Sequence, residues 1–248
     1  MTQENKTDKT PDFTLVVPMK NEEGNVAFLA QAIDEACGAM AFETIFVDDG
    51  SDDGTLTKLK EIAATYDWAR YLVHPVSGGQ SSAVHSGVKA ARAAVIATID
   101  GDGQNPPAEV PGLVAPLLED KAEVLGLVAG QRVKRQDTWS KKAASKFAND
   151  LRGWMLKDGT RDTGCGLKAF RREAFLELPY FNNMHRYLPA LFKAFGWEVG
   201  HKDVSHAARN AGASNYTNFQ RALVGVHDLL GVSWLIKRAK KTRPQKDA

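Results

Sequence analysis

Long apolar runs are missing from this chain. No segment offers the ~18 uninterrupted apolar residues that a membrane-spanning helix requires, so the sequence predicts a soluble or membrane-peripheral protein on the cytosolic side. The opening "MTQENKTDKTP" is polar and mixed in charge and has no apolar stretch of the kind a signal peptide carries. Residues 1–11 are therefore expected to form a disordered tail. Cysteine is scarce: there are two, Cys37 and Cys165, far apart and in no metal-ligand spacing, which points to buried reduced thiols rather than a disulfide or a zinc site. The six histidines are scattered. His201 and His206 fall five apart on an expected strand and so point to opposite faces. An excess of one charge is also lacking. The formal net charge is +2, and nothing global points to nucleic acid. Finally, the first strand-to-helix turn, "VVPMKNEEGN", is neither G-x-G-x-x-G nor a Walker loop, which removes the pyridine-nucleotide and P-loop readings. The glycine-rich "SGGQSS" by itself is ordinary loop chemistry.

What is present is a strong alternation. Apolar residues make up 43% of the chain, enough for a sizeable core. "FTLVVP", Thr44 to Val47, "ARYLVHP" and "AVIATID" read as strands. "GNVAFLAQAIDEACGAM", "TLTKLKEIAATY" and "SSAVHSGVKAARAA" read as the helices between them. Strands alternating with helices of this length predict βαβ units and a mostly parallel sheet. Beyond residue 107 the alternation weakens. "PPAEVPGLVAPLLED", "WSKKAASKFANDLRGWML", "RREAFLEL" and "HRYLPALFKAFG" read as helical, and "AEVLGLVAGQRV", "GCGLKAF" and "WEVGHKDVSH" as strands. No linker or repeat interrupts residues 12–210, so these form one domain, with 211–248 as an appended helix and basic tail.

In open α/β sheets, ligands bind outside the carboxyl ends of the strands. Two acidic turns lie there, "VDDGSDDGT" and "IDGDGQNPP". Asp100 and Asp102 sit one residue apart, and like charges so close raise each other's pKa. Both can reach one hard cation, with Gln104 adding a neutral oxygen, and Mg2+ or Mn2+ prefers such ligands, completed by water and substrate phosphates. The bland alternative is a polar turn capping the helix that follows. In the other turn, Asp49 can accept from a base N–H or a ribose hydroxyl, whereas Asp52 and Asp53 suit a turn and a helix first turn.

"VVPMKNEEGN", "VDDGSDDGT", "SGGQSSAVHSGVKAA", "IDGDGQNPP" and "DTGCGLKAFRREAF" occur in the order of the motifs of the family-2 inverting glycosyltransferases. Over residues 13 to 236 the chain resembles that family, and most of all its dolichol-phosphate mannose synthase branch and the bacterial polyprenyl-phosphate relatives. The resemblance implies an α/β GT-A fold: a mostly parallel nucleotide-binding sheet flanked by helices, with a C-terminal amphipathic helix. It places Pro18, Lys20 and Glu22 against the nucleotide, Val47 and Asp49 at the base and ribose, and Asp100, Asp102 and Gln104 on Mg2+ or Mn2+, with Gly101 between the acids. Arg132 falls at a family arginine near the phosphates, Lys141 and Ser145 at positions facing the acceptor phosphate, and Arg186 at a basic position. "RNAGASNY" resembles a family loop through Arg209 and Ser214, with Asn215 where a lysine is usual.

The chemistry fits those residue types. Negative charge builds on a leaving nucleotide diphosphate, from GDP- or UDP-sugar, and a cation with Arg or Lys stabilises it. A polyprenyl phosphate acceptor is already ionised and needs only cations to approach, such as Arg132, Lys141 and Arg209. A sugar hydroxyl acceptor needs a base, for which Asp162 is the candidate. A catalytically silent nucleotide-sugar-binding scaffold is the third reading. In the tail, Phe219, Leu223, Val226, Leu230 and Trp234 form one helical stripe followed by a basic cluster. That pattern suits a helix lying on anionic lipid at the inner membrane face, or equally a helix packed on the domain. The first option leaves room for a membrane-protein partner.

Overall fold

The computed structural model describes residues 10–133, 152–205, 207 and 218–239. Its sheet grows from strands whose side chains alternate between two buried faces. In β1 (Phe13–Met19), Phe13, Leu15, Val17 and Met19 enter one core while Val16 enters the other. β2 (Phe42–Asp48) divides in the same way, with Ile45 and Val47 opposite Phe46. So does β4 (Val95–Thr98), with Ile96 opposite Val95 and Ala97. Apolar side chains on both faces are what a parallel sheet covered on two sides requires.

The remaining strands are β3 (Ala69–Val73), β5 (Leu125–Arg132), β6 (Lys168–Arg171) and β7 (Glu198–Val204). The seven-stranded order is β3-β2-β1-β4-β6-β5-β7. β6 runs antiparallel to both β4 and β5, and every other pairing is parallel. Helices α1 (Glu23–Cys37) and α4 (Val110–Glu119) cover one face through Val26, Leu29, Ile33, Val110, Leu113 and Leu117, joined by Leu59 of α2 (Thr55–Thr65). Helices α3 (Gln80–Ala90), α5 (Arg172–Leu176) and α6 (Leu188–Ala194) cover the other through Val84, Val88, Phe175 and Leu191. Cys37 and Cys165 are free and buried.

Helix α3 stops four residues short of the expected "SSAVHSGVKAARAA" boundary, and the reason is polar. The Arg92 N–H donates to Glu43 Oε1 at 2.8 Å, and the Ala93 N–H donates to Thr14 Oγ1 at 3.3 Å. Glu43 is fully buried and also receives the Arg70 and Arg92 guanidinium groups, each at 2.8 Å. A buried carboxylate must be paired. Glu43 and Thr14 together take those N–H groups away from the helical ladder.

The last helix, α7 (Asn218–Arg238), settles on the α3 face. Leu229 and Val232 are buried in that core. Asn183 Nδ2 donates to Asp228 Oδ2 at 3.1 Å, and the Tyr187 hydroxyl to the Gly225 carbonyl at 3.2 Å. The described part of the expected stripe does not make this contact: Val226, Leu230 and Trp234 are 55%, 59% and 62% exposed. The helix thus packs along one edge and turns Val226, Leu230 and Trp234 outward. Among the described residues, no helix is long and apolar enough to cross a membrane. His206, most of the expected tail 1–11, most of the expected helix "WSKKAASKFANDLRGWML" and the basic cluster beyond Ala239 lie outside the described residues.

Candidate active site

Three strand ends meet at one edge of the sheet. Met19 is in register with Asp48, the Asp49 N–H donates to the Met19 carbonyl at 2.8 Å, and the Ile99 N–H donates to the Val16 carbonyl at 3.4 Å. The chain runs from β1 outward to β2 and β3, then returns to place β4 on the other side of β1. This reversal is the topological switch at which ligands bind in open α/β sheets. "VDDGS" and "IDGDG" accordingly share one crevice, as their positions in the sequence suggest.

The loops there are tied together. The Asn21 N–H donates to Ser51 Oγ at 3.0 Å, and the Asp52 N–H donates back to Asn21 Oδ1 at 3.0 Å. The Glu22 N–H donates to Thr55 Oγ1 at 2.8 Å, and its carboxylate receives Asn25 Nδ2 at 2.6 Å. Pro18 is half-buried at this rim and Lys20 is exposed. Gly101 is a true close approach: a Cβ there would lie 2.3 Å from Met19 Sδ and 2.8 Å from the Pro18 carbonyl.

Two residues expected at the nucleoside are held by contacts within the chain. Val47 is fully buried among Ile45, Ala83 and Val84, so its side chain belongs to the core and not to a ligand surface. Asp49 has about four lone-pair sites when ionised, and four donors use them. His74 Nδ1 (2.7 Å) and the Gly78 N–H (2.8 Å) meet Oδ1, while Ser77 Oγ (2.6 Å) and the Gly79 N–H (2.8 Å) meet Oδ2. Burial pushes its pKa up, but these four hydrogen bonds together hold it below the ordinary carboxylate value. In this arrangement Asp49 shapes the 77–79 loop.

The second acidic turn forms the floor of the crevice. Asp100 Oδ1 receives Gln80 Nε2 at 2.7 Å, and Oδ2 receives Asn105 Nδ2 at 3.1 Å. Asp102 Oδ1 receives the Gln104 N–H at 3.1 Å, closing the loop on itself. The Gln104 carbonyl receives the N–H of Ala207, two residues before Arg209, at 3.0 Å. Burial and then the Asp102 charge raise the Asp100 pKa, against smaller opposing effects of Lys168, Asn105 and Arg132. Among the described residues, no three His, Cys, Asp or Glu side chains gather closely enough to hold a metal. Two carboxylates and an amide oxygen on one loop are instead the donor set of a hard cation that takes its remaining ligands from water and substrate phosphates. Each Asp100 oxygen keeps acceptor capacity beyond its single amide donor, so Asp100, Asp102 and Gln104 fit Mg2+ or Mn2+.

Opposite this loop, Arg132 and Asp162 form a two-pronged ion pair, Nε to Oδ2 at 2.5 Å and Nη2 to Oδ1 at 2.8 Å. Asp162 raises the guanidinium pKa further above its ordinary value, against the effect of burial. Such pairs have fixed geometry. The Gly164–Gly166 turn beside them runs against Asp100: a Cβ on Gly166 would fall 2.3 Å from Asp100 Oδ2.

Four further residues belong to this centre without having been singled out in the sequence. Lys168 on β6 is buried, with Nζ donating to the Cys165 carbonyl. Burial pushes its ammonium below the ordinary value, while Cys165, Asp100 and Asp162 act the other way. Its signal was a lysine inside a short apolar strand, since buried lysines are almost always paired. His185 Nδ1 pairs with Ser81 Oγ at 2.8 Å. Burial, then the charges of Lys168 and Arg186, push its pKa to about 3, so it is neutral at physiological pH. Arg186 itself is half-buried on the same turn. Gln80 and Asn105 carry no sequence signal beyond their place beside the glycine loop and the acidic turn. Lys141, Ser145, Arg209 and Ser214 lie outside the described residues.

Known proteins resemble this chain in sequence and in fold. The model of the family described as "Glycosyl transferase family 2" matches residues 14–178. A dodecaprenyl-phosphate galacturonate synthase of Rhizobium johnstonii is 33% identical over 239 residues, covering 94% of this chain and 69% of that protein. An undecaprenyl-phosphate 4-deoxy-4-formamido-L-arabinose transferase of Proteus mirabilis is 32% identical over 226 residues, covering 90% and 68%. Among solved structures, glucosyl-3-phosphoglycerate synthase from Mycobacterium tuberculosis in complex with Mn2+, UDP and glucosyl-3-phosphoglycerate superposes with a TM-score of 0.66. It is 19% identical and covers 94% of this chain and 81% of that one. At that identity the likeness establishes the fold.

Proposed function

The chain belongs to glycosyl transferase family 2 and is a glycosyltransferase, and on that premise we propose that it transfers a sugar from a nucleotide-diphosphate sugar, GDP- or UDP-linked, to a polyprenyl phosphate, with inversion. The observation that carries the choice of acceptor is the two-pronged Arg132–Asp162 pair beside Asp100. Asp162 is the candidate base for a hydroxyl acceptor, and a carboxylate gripped by a guanidinium on both oxygens is a poor proton acceptor. A phosphate acceptor needs no base. Its oxygen attacks the anomeric carbon as the bond to the diphosphate breaks, and no proton has to be removed. The two prenyl-phosphate transferases that the chain resembles are named for that acceptor class.

In this reading Asp100, Asp102 and Gln104 hold Mg2+ or Mn2+, which when bound neutralises charge on the leaving diphosphate. Arg132, with Lys141 and Arg209, offsets repulsion between the donor and acceptor phosphates. Pro18, Lys20 and Glu22 form the nucleotide rim, and Ser145, Arg186 and Ser214 line the phosphates. The outward stripe of α7, with exposed Lys237 and Arg238 at its end, lies on anionic lipid at the cytosolic face and brings the crevice to its acceptor.

The test is release of nucleoside diphosphate from a panel of GDP- and UDP-sugars. Release should require both polyprenyl phosphate in anionic vesicles and Mn2+ or Mg2+. No release with any donor, or equal release without the lipid phosphate, overturns the proposal.

A further inference from the structure

We propose that Gln80 is the positioning residue that sets the Asp100 carboxylate for the cation. The proposal rests on the reading of Asp100, Asp102 and Gln104 as a hard-cation site. Gln80 Nε2 lies 2.7 Å from Asp100 Oδ1. A carboxylate only accepts, so the amide nitrogen and not the oxygen faces it. Asn105 holds the other oxygen at 3.1 Å from within the acidic turn. Gln80 is the donor that comes from outside that turn, and of the two it makes the shorter bond.

Its own position is fixed from two sides. The preceding loop hangs on Asp49 through the Gly78 and Gly79 N–H groups, each at 2.8 Å, and Gly79 takes the left-handed backbone (φ +83°) that turns the chain into α3. On the other side, Ser81 is 1% exposed and bonded to His185 Nδ1 at 2.8 Å. With both neighbours pinned, the Gln80 amide meets Asp100 from a set direction. Asp49, expected at the nucleoside, thereby acts on the cation through the loop it builds. Partners that orient a metal ligand typically contribute ten- to a hundredfold to metal affinity.

The experiment measures Mn2+ binding to the full-length protein without substrate, by loss of the free-ion paramagnetic resonance signal, alongside the melting temperature of the metal-free protein. Gln80→Met keeps the length of the side chain and removes its amide, donor included, and Gln80→Ala removes both length and amide. Both variants should weaken Mn2+ binding about tenfold with the metal-free melting temperature unchanged. Wild-type affinity in Gln80→Met overturns the proposal, as does a parallel loss of melting temperature, which would assign Gln80 to the fold. Asp102→Ala separates the two readings. If it abolishes binding and Gln80→Met does not weaken it, only the role of Gln80 fails. If the wild-type protein binds no Mn2+ either alone or with a nucleoside diphosphate present, the cation site fails with it.

Discussion

Asp102→Ala is expected to lower turnover about a thousandfold without destabilising the metal-free protein. The expected loss follows from removing a cation ligand at the leaving diphosphate, where charge stabilisation is the largest single contribution to such a reaction. Retained stability follows from the electrostatics of the turn. Asp102 helps push the Asp100 pKa upward, and removing a like charge relieves that repulsion. The backbone bond from the Gln104 N–H to Asp102 Oδ1 is lost in exchange, at a cost of about 1 kcal/mol. A turnover assay checks the first half and scanning calorimetry the second: without Mn2+ the two melting temperatures should agree closely, and with Mn2+ that of the wild type should rise and that of Asp102→Ala should not. A variant within tenfold of wild-type turnover, or one with an intact metal-dependent rise, contradicts the assignment.

The two halves of the Arg132–Asp162 pair should separate kinetically. Arg132→Ala is expected to cost about a hundredfold or more in kcat, because it removes a fixed cation from the phosphate side of the crevice. Asp162→Ala is expected to cost about tenfold. It loosens the guanidinium but removes no proton acceptor, provided the nucleophile is an ionised phosphate. If instead the nucleophile is a hydroxyl, Asp162→Ala should abolish activity and Arg132→Ala should be the milder change. Comparing the two kcat values on one acceptor decides the matter, since an inverted order is incompatible with a phosphate nucleophile.

The strands ending at Asp48 and Thr98 follow from short apolar runs that lead into acids, while β1 runs one residue past the proline expected to end it; those runs were readable because parallel strands are buried on both faces. The crevice was legible for the same reason: two acidic turns at strand ends must share an edge. The sequence did not disclose which acid does what. Asp49 looked available for a nucleoside, and only long-range geometry brings His74, Ser77, Gly78 and Gly79 to it. Gln80 and Asn105 were silent because a neutral amide becomes informative only once its partner is placed. The end of α3 was misplaced because Glu43 and Thr14, 49 and 79 residues away from Arg92 and Ala93, capture their N–H groups. In α7 the helical period was clear, but one stripe cannot tell which edge of a helix meets the domain. Leu229 and Val232 make that contact, and the Val226–Leu230–Trp234 stripe stays outside.

The central claim is that the sugar is joined to a phosphate oxygen of the lipid. Phosphorus NMR of the extracted lipid product tests it most directly. The account predicts that the phosphomonoester signal of the polyprenyl phosphate is replaced by a phosphodiester signal as donor is consumed, with no such conversion in Asp102→Ala. Consumption of the donor with the sugar recovered on a hydroxyl and the phosphomonoester signal intact would contradict it.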